Sequence, residues 1–235
     1  MNRRAFNRQL EALNARESEI RSLFLTPHLA ATSYSNVALH HVGAYVTLLH
    51  AEVEHCFEQV VIGAVANGVD AARHAFPHPL LLNYLSFYRA ELQRRVPRVN
   101  EIVGTSSSLK RDPLAALRAW EEYGGALFFA ESIRSNHGAG RRYLEQLLHP
   151  LGIVVDEKAF RSVTGRGVRP LGTIKTSLAT ELSEFVELRG AAAHGGISTM
   201  RVTRSLLAPP DLAARAQSVL SLAATVVSEI AVAAC

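Results

Sequence analysis

Residues 37–65, VALHHVGAYVTLLHAEVEHCFEQVVIGAV, decide the fold. Val42, Tyr45, Val46, Leu49, Val53, Phe57, Val60 and Val61 recur at three- and four-residue steps and leave almost no polar face. That periodicity is helical, because a strand would alternate every second residue. A membrane span would need about 20 consecutive apolar residues, and His40, His41, His50, Glu52, Glu54, His55 and Glu58 interrupt any such run here. The stretch predicts a long central helix buried in a protein core.

Outward from it the chain reads as further helices. Phe6, Leu10, Leu13, Ile20, Leu23 and Phe24 predict an amphipathic helix that ends near Pro27. After Pro77 and Pro79, residues Leu80 to Val96 predict a helix that Pro97 ends, and residues 104–108 (GTSSS) predict a loop. Asp112 and Pro113 are an N-cap pair for Leu114–Glu122, which Gly124 and Gly125 close. A turn at Asn136, Gly138 and Gly140 leads to a short helix, Arg141–Leu148, stopped by Pro150 and Gly152. A second loop, Gly165 to Gly172, precedes a helix from about Thr176 to His194, with Gly195 and Gly196 as its cap. Pro209 and Pro210 open the last helix. Ile153–Val155 is the one strand fragment expected. The expected class is all-α: a helical bundle with extra helices and long loops, one domain over 1–235, made of an N-terminal helix in 1–30 and a core over 37–235.

Composition narrows the function classes. With 48% hydrophobic residues, 235 residues can close a core without help from metal or disulfide, and the two cysteines, Cys56 and Cys235, are too isolated for a disulfide framework or a metal motif. Basic residues near the N-terminus have no apolar stretch behind them of the kind an export signal carries. A cytoplasmic protein is the expectation. Residues 213–235 are mostly apolar but carry Arg215, Gln217, Ser218, Ser221 and Glu229, so they read as a buried helix and no membrane contact is expected. The formal net charge of +4 permits an anionic partner without requiring one.

One stretch carries chemistry: Glu187, Leu188, Arg189, Gly190, Ala191, Ala192, Ala193, His194, Gly195. A helix would set Arg189 and His194 about one and a half turns, roughly 7.5 Å, apart along its axis. A guanidinium long enough to fold back beside an imidazole could share one phosphodiester with it. The alanines between them keep the neighbouring surface low.

This stretch resembles the Arg-x4-6-His motif of the HEPN superfamily, many of whose members are ribonucleases, and the order of segments over Val37–Cys235 is similar to the RiboL-PSP type. The likeness includes the acids in the second helix, the Arg134–Ser135–Asn136 turn leading to Leu147, Leu148 and Gly152, and the final apolar helix. The resemblance implies a metal-independent endoribonuclease that needs no cofactor, with His194 as general base or acid and Arg189 binding the phosphate. It further implies a homodimer, an RNA substrate, and a role as a toxin or antiviral defence effector with an antitoxin or defence-system partner. Where the family often has Asn, Asp or His after the arginine, this chain has Gly190, one turn below His194. The second hypothesis is therefore a non-catalytic HEPN-like module that binds nucleic acid, nucleotide or a protein partner. A third is a plain helical scaffold.

Around this pair, Glu52 or Glu54 could steer the tautomer of His194, and His41, Tyr45, Glu52, His55 and Gln59 lie along one stripe of the central helix. That stripe also reads as a solvated edge. Arg161, Arg166, Arg169 and Lys175, with Arg141 and Arg142, could track an RNA backbone. His50, Glu54 and His55 could be pictured as metal ligands, but no second cluster completes such a site, and no metal is assigned. From spacing alone, Arg189 could equally pair with Glu184 or Glu187, with His194 a helix-end residue placed well for the dipole.

Overall fold

The protein is all-α. The computed structural model describes residues 3–30, 35–74, 78–95, 113–122, 124–134, 140–155, 168–195 and 208–234, apart from some side chains within these ranges, that of His194 among them. The helices are α1 (Arg3–Phe24), α2 (Asn36–Ala72), α3 (Pro79–Arg95), α4 (Pro113–Glu122), α5 (Gly125–Arg134), α6 (Arg141–Leu148), α7 (Thr176–Gly190) and α8 (Pro209–Ala234). Short 3-10 turns follow α1 at Thr26–His28 and α6 at His149–Leu151.

The central helix is longer than its apolar run suggests. The Ser35 side chain caps it by accepting from the backbone N–H of Ala38 at 3.1 Å. Beyond Val65 the buried stripe continues through Gly68, Val69 and Ala72. Gly68 lets α3 approach closely, since a Cβ there would stand 3.3 Å from that of Leu81. Tyr45, Leu49, Val53 and Phe57 are fully buried on α2. Against α2 pack α1, through Phe6, Leu13 and Ile20, then α7 through Leu182, Phe185 and Leu188, and α8 through Val219, Ala223, Val226 and Ile230. Each large apolar side chain buried in this way contributes about 1.5–3 kcal/mol. By length and composition α8 would also pass as a membrane span, but 56% of its most apolar window is buried inside the bundle.

Two elements depart from the sequence expectation. Gly124 and Gly125 do close α4, but Gly125 at once opens α5, the left-handed Gly124 (φ 69°) making the corner. The indole of Trp120 lies where a Cβ of residue 125 would be, so only glycine fits there. The strand fragment exists as β1 (Ile153–Val154), and it pairs in parallel with β2 (Gly172–Thr173). Gly152, at φ 86°, turns the chain into β1. The buried Asn83 amide then ties the region together: its Nδ2 donates to the carbonyls of Leu151 (3.2 Å) and Arg169 (2.7 Å), and its Oδ1 accepts from the Arg169 N–H (2.8 Å). This clamp fixes the strand pair that leads into α7.

Candidate functional site

Arg189 lies in the last turn of α7, where the helix changes its hydrogen bonding: α geometry holds to Gly190 and a π turn spans Ala191–Gly195. In a continuous α-helix a residue five positions on is rotated by about 140°, so the two ends of the motif would share little of one face. The i→i+5 bonding of a π turn widens the coil and brings such positions closer to register. His194 contributes its backbone to that turn, and its side chain is outside the described part of the structure. Isolated π turns are rare and concentrate at functional sites.

The Arg189 side chain is half-buried, and its Nε is sealed from solvent with no hydrogen-bond partner among the described residues. The pairing that spacing alone allowed is not made. Glu184 is held by Arg215 of α8, and among the described residues no ion pair joins Arg189 to Glu187. A Cβ at Gly190 would meet nothing within 4 Å among the described residues, so the space at that position is open. Ala191 and Ala192 pack against the core, and Ala193 is exposed.

Across from Arg189 on α2 stands His50, 2% exposed, with its Nδ1 3.7 Å from Oε2 of Glu54. Burial lowers the His50 pKa below the ordinary histidine value; the Glu54 carboxylate opposes that shift, and the positive charge of Arg189 adds to it. A neutral imidazole between a carboxylate and a guanidinium is the result. One turn further along α2, Glu58 accepts at 3.1 Å from the hydroxyl of Tyr143 on α6, whose pKa is raised by burial and by Glu58 and Glu54. The α2 face toward α6 and α7 thus carries His50, Glu54 and Glu58.

The other expected site residues lie elsewhere. Glu52 faces α1, accepting from Arg16 Nε at 3.4 Å, and His55 is exposed. Tyr45 is buried and donates to Glu17 at 2.8 Å, and His41 bonds to His28. The stripe of His41, Tyr45 and Glu52 therefore contacts α1 and its following turn. Arg169 and Lys175 are exposed on either side of β2, Arg169 with its backbone fixed by Asn83. Arg161 and Arg166 lie outside the described residues. Arg141 pairs with Glu145 at 2.8 Å and Arg142 is exposed. No group of three or more metal-ligating side chains occurs among the described residues. Burial pushes the Cys56 thiol up to about 11, which leaves it protonated and a poor nucleophile at neutral pH.

Sequence reading missed His50 as a companion of Arg189. Its i, i+4 spacing to Glu54 was visible, but only the packing of α7 on α2 brings the arginine to it. No protein-family model matches the chain, and neither curated proteins nor solved structures yield a match.

Proposed function

We propose that the protein is a metal-independent endoribonuclease of the HEPN type, acting through Arg189 and His194. The observation that carries this reading is the Arg189 guanidinium: its Nε lacks a partner among the described residues, it sits where α7 passes into a π turn, and open space lies beside Gly190. A buried guanidinium nitrogen without an acceptor costs about 1–3 kcal/mol or more, a cost that a phosphate oxygen would remove once the side chain turned its Nε toward it.

In the proposed reaction the RNA 2′-oxygen attacks the adjacent phosphorus while the P–O5′ bond breaks, leaving a 2′,3′-cyclic phosphate and a 5′-hydroxyl. His194 takes the 2′-hydroxyl proton or delivers one to the departing 5′-oxygen, work that is worth on the order of 10²- to 10⁴-fold. The opposite transfer falls to a second His194 if two copies of α7 face each other, the homodimer that the family resemblance implies. Arg189 holds the phosphate and offsets its developing charge with the planar donor fork that lysine lacks. His50 and Glu54 act behind it. Because the imidazole is kept neutral, it does not repel the guanidinium, and Glu54 supplies the countercharge.

Arg169 and Lys175 would contact the RNA backbone beyond the scissile phosphate, giving binding that weakens steeply with salt. A toxin or defence role in the cytoplasm, regulated by an antitoxin or a defence-system partner, follows from the resemblance. Gly190 favours one other reading, a non-catalytic module that binds nucleic acid, nucleotide or protein, since no polar side chain stands there to orient an imidazole one turn on. Incubating the purified chain with labelled RNA in excess chelator decides between them. Cleavage to cyclic-phosphate ends that is lost in Arg189→Ala and His194→Ala supports the nuclease; RNA binding without cleavage supports the module.

A further inference from the structure

We propose that His28 and His41 form a two-histidine site for a late first-row divalent cation such as zinc, about two and a half turns along α2 from His50 and independent of the Arg189 chemistry. His28 ends the 3-10 turn after α1, and His41 lies in the second turn of α2. Their Nε2 and Nδ1 atoms are 3.1 Å apart, their ring centroids 4.9 Å apart, and their planes cross at 73°.

These distances fit two ligands of one ion. Two zinc–nitrogen bonds of about 2.05 Å whose ends are 3.1 Å apart meet at about 98°, between the octahedral and tetrahedral angles. Extending each bond to its ring centre puts the centroids about 4.8 Å apart, against the 4.9 Å found. These separations are compatible with both rings pointing at one ion. Phe24 packs edge-on against His41, its ring 5.9 Å away, and both histidines remain partly exposed. Water would fill the other coordination positions, since no third His, Cys, Asp or Glu joins the pair among the described residues. Such a site is open and exchangeable, unlike the closed four-ligand sites of structural zinc.

Without the ion, the same pair is joined by a hydrogen bond between ring nitrogens, which keeps the two ligands side by side. On binding, the donor ring moves its proton to its other nitrogen, so neither imidazole needs to release one to solvent. The ion would pin the turn after α1 to the start of α2.

The test uses the full chain, without an affinity tag and stripped of metal, titrated with zinc sulphate at pH 7.5. At a hundredfold excess over Kd, a ligand of the native state alone raises the Tm of a chain this size by roughly 5 to 10 °C. That rise should vanish in His28→Gln and in His41→Gln but persist in His40→Gln. A second readout needs no variant: paramagnetic nickel should selectively broaden the ring resonances of His28 and His41. Zinc that leaves the wild-type Tm unmoved, a rise that survives both glutamine variants, or broadening confined to other histidines would each overturn the site.

Discussion

The two polar faces of α2 are built in opposite ways. Toward α1 every group is answered: Tyr45 donates to the buried Glu17, Arg21 stands 3.5 Å from that same carboxylate, and Arg16 divides itself between Glu19 at 2.7 Å and Glu52 at 3.4 Å. Toward α7 a buried His50 and its Glu54 companion stand near an arginine whose Nε has no partner among the described residues. Under the proposed function, that second face, beside a π turn and a glycine whose Cβ position is open, is the one that would meet RNA. The first face ties α1 to α2, and the second is the one on which the proposed reading stands or falls.

The sharpest attempt to break this contrast is at Arg189 and His194. Arg189→Ala or His194→Ala is expected to lower RNA cleavage by about 10²- to 10⁴-fold while leaving the Tm unchanged or, for Arg189, slightly raised. A gel assay beside a thermal melt reads both. Arg189→Lys should recover little, because an ammonium cannot donate as a fork. Full activity in either alanine variant would reduce the open face to a packing defect.

The converse change is Tyr45→Phe. It strips the buried Glu17 carboxylate of its 2.8 Å donor, a loss of about 1–3 kcal/mol, or roughly 2–12 °C of Tm, with cleavage per folded molecule unaltered. A drop in activity without loss of stability would show that the two faces are coupled after all.

Acid sharpens the comparison further. The folded-state pKa of His50 is lowered, so the unfolded chain binds its proton more readily. The stability this group contributes is complete above the unfolded value of about 6.5 and is lost as pH falls through the depressed folded value. Melting temperature should therefore decline from pH 7 toward pH 5, and His50→Gln should make that decline shallower. His78, also lowered by burial, adds to the same slope and will remain in the variant.

Much of this architecture could be read from residue spacing. Arg141–Leu148 and the end of α1 at Phe24 fell where Pro150, Gly152 and Pro27 put them, because proline and glycine act locally. What escaped depended on contacts distant in sequence. Helix α5 begins on the glycine that seemed only to close α4, and nothing local announces that Trp120 will lie over Gly125. Gly172 and Thr173 have no intrinsic strand signal and become β2 only by pairing with Ile153 and Val154. The π turn at Ala191–Gly195 sits in a run of alanines that reads as ordinary helix. At the candidate site Arg189 and Glu54 were legible, while His50 required the packing of α7 on α2 to acquire meaning.

The smallest expected effects separate two acids that sequence could not rank. Glu52 and Glu54 are two residues apart, and a helix turns them about 200° from each other, one toward Arg16 and one toward His50. Glu52→Gln breaks only an exposed pair with an arginine that keeps Glu19, so neither cleavage nor Tm should move measurably. Glu54→Gln removes the one influence that raises the His50 pKa. The imidazole should then titrate at still lower pH, and the acid limb of any pH–rate profile that depends on a neutral His50 should shift the same way. NMR titration of the His50 ring in the two variants measures this directly. If Glu52→Gln displaced that titration as much as Glu54→Gln, the division of α2 into a closed face and an open one would fail.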